Sequence, residues 1–143
     1  MTTINEVMTR VHRVCDSHFA DTEAAVAGKD WPQAELAWHL FSRTLGRHMT
    51  RDEEGLLFPA LEEANGPAGP TQVMRMEHEQ MRALMGQAQS ALADHDAQEF
   101  LGLAETLMLL IQQHNIKEEQ ILYPMMDQSL ANATDLAAQL QPE

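Results

Sequence analysis

Apolar side chains recur along most of this chain at spacings of three and four residues, rather than at every second position. This spacing, in segments rich in Ala, Leu, Met, Glu and Gln, predicts helices. Pro and Gly interrupt the pattern at residues 28–32 and 65–70, and a weaker break falls near 94–96. The predicted helices cover residues near 2–27, 32–63, 71–93 and 97–127, followed by a short, partly helical segment near 128–140.

Four long helices with short connections predict an all-α fold, an antiparallel up-down four-helix bundle with a short C-terminal extension. The stretch 65–70 lies close to the chain midpoint, and we expect it to form the loop that joins the two halves. At the earlier break, Asp30 or a neighbour should cap the next helix, with Pro32 in its first turn. A chain of 143 residues can form one domain around a single core.

The composition excludes several classes of protein. Acidic residues outnumber basic ones by 22 to 9, which gives a net charge of −13, so the surface should repel nucleic acids and anionic lipids. No run of 18 apolar residues is present, so we expect neither a signal peptide nor a membrane span. The single cysteine, Cys15, excludes an internal disulfide and a cysteine-rich zinc site, so we expect a cytoplasmic protein.

Four of the 7 histidines fall into two pairs with matching flanking residues: His12 with His78, and His48 with His114. The offset is the same in both pairs, because 78 − 12 and 114 − 48 both equal 66. The second pair is followed by paired carboxylates and then by an aromatic-proline end, Phe58-Pro59 or Tyr123-Pro124. This repeat predicts an internal duplication within one domain, with halves of about 1–65 and 70–131.

One of these histidines falls on each predicted long helix, so all four could meet at a similar depth in the core. His114 and Glu118 are four residues apart and lie on one helical face, about 40° apart. Counted back from the prolines, Glu53 corresponds to Glu118, but His48 precedes it by five residues, a rotation of about 140°. The extra residue predicts a π-bulge or local unwinding between His48 and Glu53. Asp52 is the alternative ligand if the helix is regular.

Four imidazoles and two carboxylates without a thiolate suit iron, manganese or zinc. Six protein ligands are too many for one tetrahedral ion, and they suit two ions bridged by the carboxylates. We expect two iron ions, with manganese or zinc as alternatives, and vacant or water-filled positions that can take O₂ or a peroxide. The predicted metal ligands are His12, His48, Glu53, His78, His114 and Glu118.

With these residues, the chain resembles the hemerythrin-like (HHE cation-binding) proteins over roughly residues 7 to 127. The ends Phe58-Pro59 and Tyr123-Pro124 are typical of the HHE group. The resemblance implies a four-helix bundle around a non-heme di-iron centre with a bridging oxygen or water. It implies that the four repeated histidines are ligands and that Glu53 and Glu118 are the bridging carboxylates.

The third helix departs from the pattern of oxygen-carrying hemerythrins, which have His-x-x-x-His there. The residue four before His78 is Met74, and the residue four after it is Arg82. One iron then takes water or a nearby carboxylate, for which Glu54, Glu77 and Glu119 are the candidates. This more open ion favours peroxide chemistry, iron sensing or O₂ sensing over reversible O₂ carriage.

Several other polar residues near the repeats are predicted to be structural. Cys15 and Asp16 follow His12 by three and four residues and are interpreted as a buried thiol and an exposed or outer carboxylate. Tyr123 is interpreted as a packing residue, because its repeat counterpart is Phe58. The remaining histidines have no repeat partner, and these are His18, His39 and His95.

The sequence therefore predicts a non-heme di-iron protein that binds or senses O₂ or a reduced oxygen species, or handles iron. A peroxidase or oxidase enzyme of the same centre is the first alternative. A zinc-bound or metal-free helical interaction domain is the second. O₂ or peroxide is the expected small ligand, and an unidentified protein partner is left open.

Overall fold

The computed structural model describes residues 2–65 and 69–140, and within these ranges every regular element is a helix. The first half contains α1 (Ile4–Ala27), α2 (Trp31–Arg47), a first π segment (His48–Leu57) and α3 (Phe58–Asn65). The second half contains α4 (Gly69–Ala93), α5 (Ala97–Lys117), a second π segment (Glu118–Leu122), α6 (Tyr123–Ser129) and α7 (Ala133–Leu140). The predicted all-α class is confirmed.

The helix ends follow the predicted breaks closely. Asp30 caps α2 by accepting a hydrogen bond from the backbone N–H of Gln33, as the sequence predicts. Asp96 caps α5 in the same way. Of the predicted midpoint loop 65–70, residues 66–68 lie outside the described residues. Its other positions are helical, because α3 ends at Asn65 and α4 begins at Gly69.

The helices pack as two hairpins that contact each other. α1 packs against α2, and α4 packs against α5. Because the turns 28–30 and 94–96 are short, the two helices of each hairpin run antiparallel. α1 also contacts α5, α6 and α7. In the described part of the chain, no helix has the length and apolar character needed to span a bilayer.

Two apolar clusters make up the core, and the repeated histidines lie between them. One cluster includes Phe19, Phe41 and Phe100 near the hairpin turns. The other includes Phe58 and Tyr123 near the opposite end. Along α1, His12 lies between Met8 of the second cluster and Cys15 of the first, and along α4 His78 lies between Met74 and Met81 in the same way. The core is thus divided by a layer of buried polar groups.

Candidate metal centre

The six predicted ligands are all buried in this polar layer. Glu53, His78 and Glu118 have 0% of their surface exposed, and the other three histidines 2–3%. Removing carboxylates and imidazoles from water is costly unless they are paired or bind a cation. Their burial in one layer therefore indicates that these side chains pair with one another or bind a cation.

Two overlapping groups of ligand atoms form this site. The first group consists of Glu53, His78, His114 and Glu118, and the second of His12, His48 and Glu118. Within each group the ligand atoms lie within 4.8 Å of one another. The ring centroids are 4.8 Å apart for His12 and His48 and 5.0 Å apart for His78 and His114. All six predicted residues therefore converge, and Glu118 contributes to both groups.

Several atoms in the first group approach each other without forming hydrogen bonds. His78 Nε2 lies 2.9 Å from Glu53 Oε1, and His114 Nε2 lies 3.2 Å from Glu118 Oε2. In the described part of the chain, these four atoms are nevertheless buried without a hydrogen-bond partner. A buried polar atom left unpaired costs about 1–3 kcal/mol. The donor set fits a cation, which all four atoms could coordinate.

The first π segment brings His48 and Glu53 together across their five-residue spacing. His48 Nε2 lies 3.5 Å from Glu53 Oε1, and the predicted bulge is confirmed by the segment His48–Leu57. Asp52, the alternative ligand, is in neither group and instead accepts a hydrogen bond from Arg51 Nε at 2.9 Å. A Cβ added to Gly55 would lie 3.0 Å from the carbonyl oxygen of Thr50, so a glycine suits the backbone of this π segment.

The second π segment, Glu118–Leu122, was not predicted. In both halves the residue before the proline donates its backbone N–H five residues back, Phe58 to Glu53 and Tyr123 to Glu118. A proline inside a helix removes one hydrogen bond and clashes with the preceding turn. Pro124 was therefore the sequence signal for the second segment.

Three outer glutamates fix the orientation of three histidines. Each accepts a hydrogen bond from a ring Nδ1, which leaves Nε2 directed at the site. The pairs are His12 with Glu119 at 2.6 Å, His78 with Glu54 at 2.6 Å, and His114 with Glu77 at 2.8 Å. Of the two replacements predicted for the missing third-helix histidine, water or a nearby carboxylate, these glutamates lie outside both ligand groups and bind the outer nitrogens of the rings.

Arg82 supports one of these outer glutamates from the position that a second third-helix histidine would occupy. Its guanidinium donates to both carboxylate oxygens of Glu54, at 3.0 and 2.9 Å. Burial raises the pKa of Glu54, but hydrogen bonds from Arg82 and His78 outweigh it and hold the pKa below its usual range. Lys117 binds Glu77 similarly. Burial raises the pKa of Glu77, but hydrogen bonds from Lys117 and His114 outweigh it and lower the pKa, so Glu54 and Glu77 are both kept charged.

The prediction that Tyr123 is only a packing residue was wrong. Its hydroxyl donates to Glu53 Oε2 at 2.6 Å and lies 2.8 Å from Glu118 Oε1. It is also 3.2 Å from His12 Nε2 and 3.3 Å from His48 Nε2. Its counterpart Phe58 does pack as expected, with its ring stacked on His78 at 5.6 Å. Five residues separate Glu118 from Tyr123, and the unpredicted π segment turns both toward the site.

The electrostatics of the site set its protonation. Burial and then the charge of Glu118 raise the pKa of Glu53, whereas Glu53, His114 and His12 hold the pKa of Glu118 well below its usual range despite burial. Burial lowers the pKa of His114, but the charge and close approach of Glu118 raise it to about 9. Burial and then the charges of both glutamates raise the pKa of Tyr123 well above its usual value. A cation bound here would displace protons.

The other polar residues that the sequence singled out lie outside both ligand groups. Cys15 is buried, and burial raises the pKa of its thiol to about 12. Asp16 accepts a hydrogen bond from Gln112 at 3.2 Å. His95 lies in the turn before α5, where it stacks on Trp31 at 4.6 Å. Neither His18 nor His39 belongs to a ligand group.

Fold and site together define a class of protein, a helical bundle with a buried histidine and carboxylate cluster that can hold metal. The sequence model of the hemerythrin HHE cation binding domain matches residues 3–126. The chain belongs to this family, and the matched range contains all six predicted ligands. Comparison with curated proteins and with solved structures gives no match.

Proposed function

We propose that the protein binds two iron ions and, through them, binds or senses O₂ or a reduced oxygen species such as peroxide. The observation that carries this proposal is the pair of overlapping ligand groups, each with two histidines, that share Glu118. One ion would be held by His78 and His114, and the other by His12 and His48. Two histidines per ion suit a dinuclear centre better than a single ion with six ligands.

Bridging by Glu53 and Glu118 is supported by their distances to both histidine pairs. Glu53 Oε1 lies 2.9 Å from His78 Nε2 and 3.5 Å from His48 Nε2. Glu118 lies 3.2 Å from His114 Nε2 through Oε2 and 3.1 Å from His12 Nε2 through Oε1. Each carboxylate can therefore reach one histidine of each pair, as a bridge requires.

The imidazole nitrogens and carboxylate oxygens of the site suit iron, and they also suit manganese and zinc. Iron ions, when bound, supply the electrons that O₂ or peroxide accepts. With two histidines at each ion, coordination positions are left for water or a small ligand. That openness favours sensing or reduced-oxygen chemistry over reversible O₂ carriage.

The chain itself controls the surroundings of such a centre. The outer glutamates orient the imidazoles, and the apolar clusters on either side separate the layer from bulk solvent. Tyr123 holds a proton on its hydroxyl between Glu53 and Glu118. This phenol would be a proton donor beside His12 and His48, whose Nε2 atoms lie 3.2 and 3.3 Å from its oxygen.

Metal analysis of the purified protein tests the proposal. We expect about two iron ions per chain after expression in iron-replete medium, and a change in the visible absorption spectrum on exposure to O₂ or peroxide. His39→Ala, on an exposed helix face, is the matched control for His114→Ala. Zinc alone, or no metal, would contradict the proposal and favour a structural or interaction domain. Iron that never reacts with O₂ or peroxide would favour iron handling.

A peroxidase or oxidase function is the second candidate, and the buried phenol of Tyr123 favours it. A turning-over enzyme needs a proton source at the reacting oxygen, which a binding protein does not. Tyr123→Phe removes the hydroxyl and keeps the ring that Phe58 carries in the other half. An enzymatic function would be supported if the protein consumes peroxide catalytically and if Tyr123→Phe lowers this rate without changing the iron content.

We also propose that the chain is one domain that arose by duplication of halves of about 1–65 and 70–131. Support comes from features that recur at the same 66-residue offset, such as the positive φ angles of Lys29 (55°) and His95 (53°). Each half also provides a carboxylate to a histidine of the other half, because Glu119 binds His12 and Glu54 binds His78. A cytoplasmic location stays a prediction from the single cysteine.

A further inference from the structure

A pocket of about 210 Å³ is lined in part by His48, one of the residues of the proposed metal centre. Three arginines, Arg43, Arg47 and Arg51, line it together with Val11 and His48. His48 is the side chain shared between the pocket and the ligand groups. Any molecule held in the pocket would therefore be close to a proposed iron ligand.

The positive charge of this pocket is unusual for the protein. The chain carries 9 Lys and Arg against 22 acidic residues, yet three arginines at four-residue spacing point along one helix face into one pocket. Asp52, which also lines it, is paired with Arg51 at 2.9 Å. Among the described residues, Arg43 and Arg47 have no carboxylate within ion-pair distance. Two guanidinium groups are thus left to bind an anion.

His48 lacks the outer carboxylate that the other three histidines have. Its Nδ1 is buried and, in the described part of the chain, has no hydrogen-bond partner. By the 66-residue offset, the counterpart of Glu77, which binds His114, is position 11, and 77 − 66 gives Val11. Val11 lines the pocket. An apolar side chain therefore stands at the position of the fourth carboxylate, and it lines the same pocket as the arginines.

We propose that this pocket binds a small carboxylate anion from solution, which Arg43 and Arg47 hold while it accepts a hydrogen bond from His48 Nδ1. Guanidinium groups match the two oxygens of a carboxylate. With the anion bound, all four histidines donate a hydrogen bond from Nδ1 to a carboxylate. The orientation of His48 in the second ligand group is then fixed. This second effect rests on the proposed function, whereas anion binding itself does not.

Acetate titration of the purified protein, followed by calorimetry at constant ionic strength with chloride as the balancing anion, tests the pocket. Arg47→Gln should weaken acetate binding about tenfold or more, as expected for the loss of a charged hydrogen bond. Val11→Glu should abolish acetate binding, because it supplies the carboxylate within the chain. Arg10→Gln removes an exposed arginine outside the pocket and should leave the affinity unchanged.

The effect on the metal is measured separately, as the rate of iron loss to a chelator on the same samples. Saturating acetate should slow this loss about tenfold, the usual size of an outer-partner effect on metal affinity. Absence of acetate binding, binding of phosphate but not acetate, or binding that survives Arg47→Gln because acetate sits on the metal would each overturn the proposal. Iron content distinguishes these results from a failure of the proposed function.

Discussion

Glu118 contributes an oxygen atom to both ligand groups, while each histidine contributes to one. We therefore expect Glu118→Ala to lose iron from both groups, and His78→Ala to lose it mainly from the group that contains His114. Iron per chain, measured by mass spectrometry of the purified variants, checks this. Glu105→Ala, exposed on α5, is the control. Equal iron content in Glu118→Ala and the control would disprove the shared role.

Tyr123 is the single tyrosine of the chain, so its ionisation can be followed without interference. Burial and then the charges of Glu118 and Glu53 raise the pKa of this phenol well above its usual value. In the metal-free protein we expect no tyrosinate absorption near 295 nm until the pH at which the fold itself is lost. Circular dichroism on the same samples gives the control. Tyrosinate at pH 10 with helices intact would contradict the burial of the hydroxyl between the carboxylates.

At the scale of elements, the first π segment determines which faces of the second long helix meet the site. A matched pair of substitutions tests its backbone. A Cβ at Gly55 would lie 3.0 Å from Thr50 O, whereas a Cβ at Gly46 in α2 would have nothing within 4 Å.

Gly46→Ala should stabilise the protein by about 0.5–1 kcal/mol, because alanine loses less backbone entropy in a helix. Gly55→Ala should be about 1–3 kcal/mol less favourable than Gly46→Ala, since the new methyl group meets backbone. Urea unfolding of both variants measures the difference. A Gly55→Ala protein as stable as Gly46→Ala would mean that the segment winds as a regular α-helix.

At the scale of the whole molecule, the polar layer couples stability to pH and to metal. The pKa of His114 is raised from 6.5 to about 9 in the fold. A group whose pKa is higher in the folded protein stabilises the fold fully at a pH below its pKa in the unfolded chain. This contribution to stability is lost as the pH rises through its pKa in the folded protein. The contribution of His114 is about 3 kcal/mol. Burial lowers the pKa of His12, but the hydrogen bond and charge of Glu118 outweigh it and raise the pKa. His12 therefore also stabilises the fold more at low pH than at high pH.

We therefore expect the metal-free protein to lose about 3 kcal/mol of unfolding free energy between pH 6.5 and pH 9.5. In the iron-loaded protein the ions replace these protons, so the loss should be much smaller. Urea titrations at the two pH values, with and without iron, measure both. His114→Gln should flatten the profile of the metal-free protein, and His39→Gln should not. A metal-free protein of equal stability at both pH values would refute the protonation assigned to the site.

Much of the fold and of the site could be predicted from the sequence because the relevant information is local or repeated. Helix spacing, the cap at Asp30 and the five-residue interval from His48 to Glu53 are properties of neighbouring residues. The 66-residue offset then related the two halves. The six buried residues of the candidate site and one π-bulge followed without knowledge of how the helices pack.

The remaining features depend on which side chain of another helix lies beside a given ring. Tyr123 resembled a packing residue because its repeat partner is Phe58, and only the second π segment turns its hydroxyl between two carboxylates. Glu54, Glu77 and Glu119 resembled spare ligands, yet helix packing places them on the outer nitrogens of the histidines.

The sequence by itself determined the helical class, the 66-residue repeat of the histidines and the identities of the buried histidines and carboxylates, because each follows from spacing along one chain. The tertiary structure alone decided the direction of each imidazole, the role of Tyr123 and the arginine-lined space behind His48. These depend on the rotation and separation of packed helices. Residues far apart in sequence then meet within a few ångströms, and no local pattern records such distances.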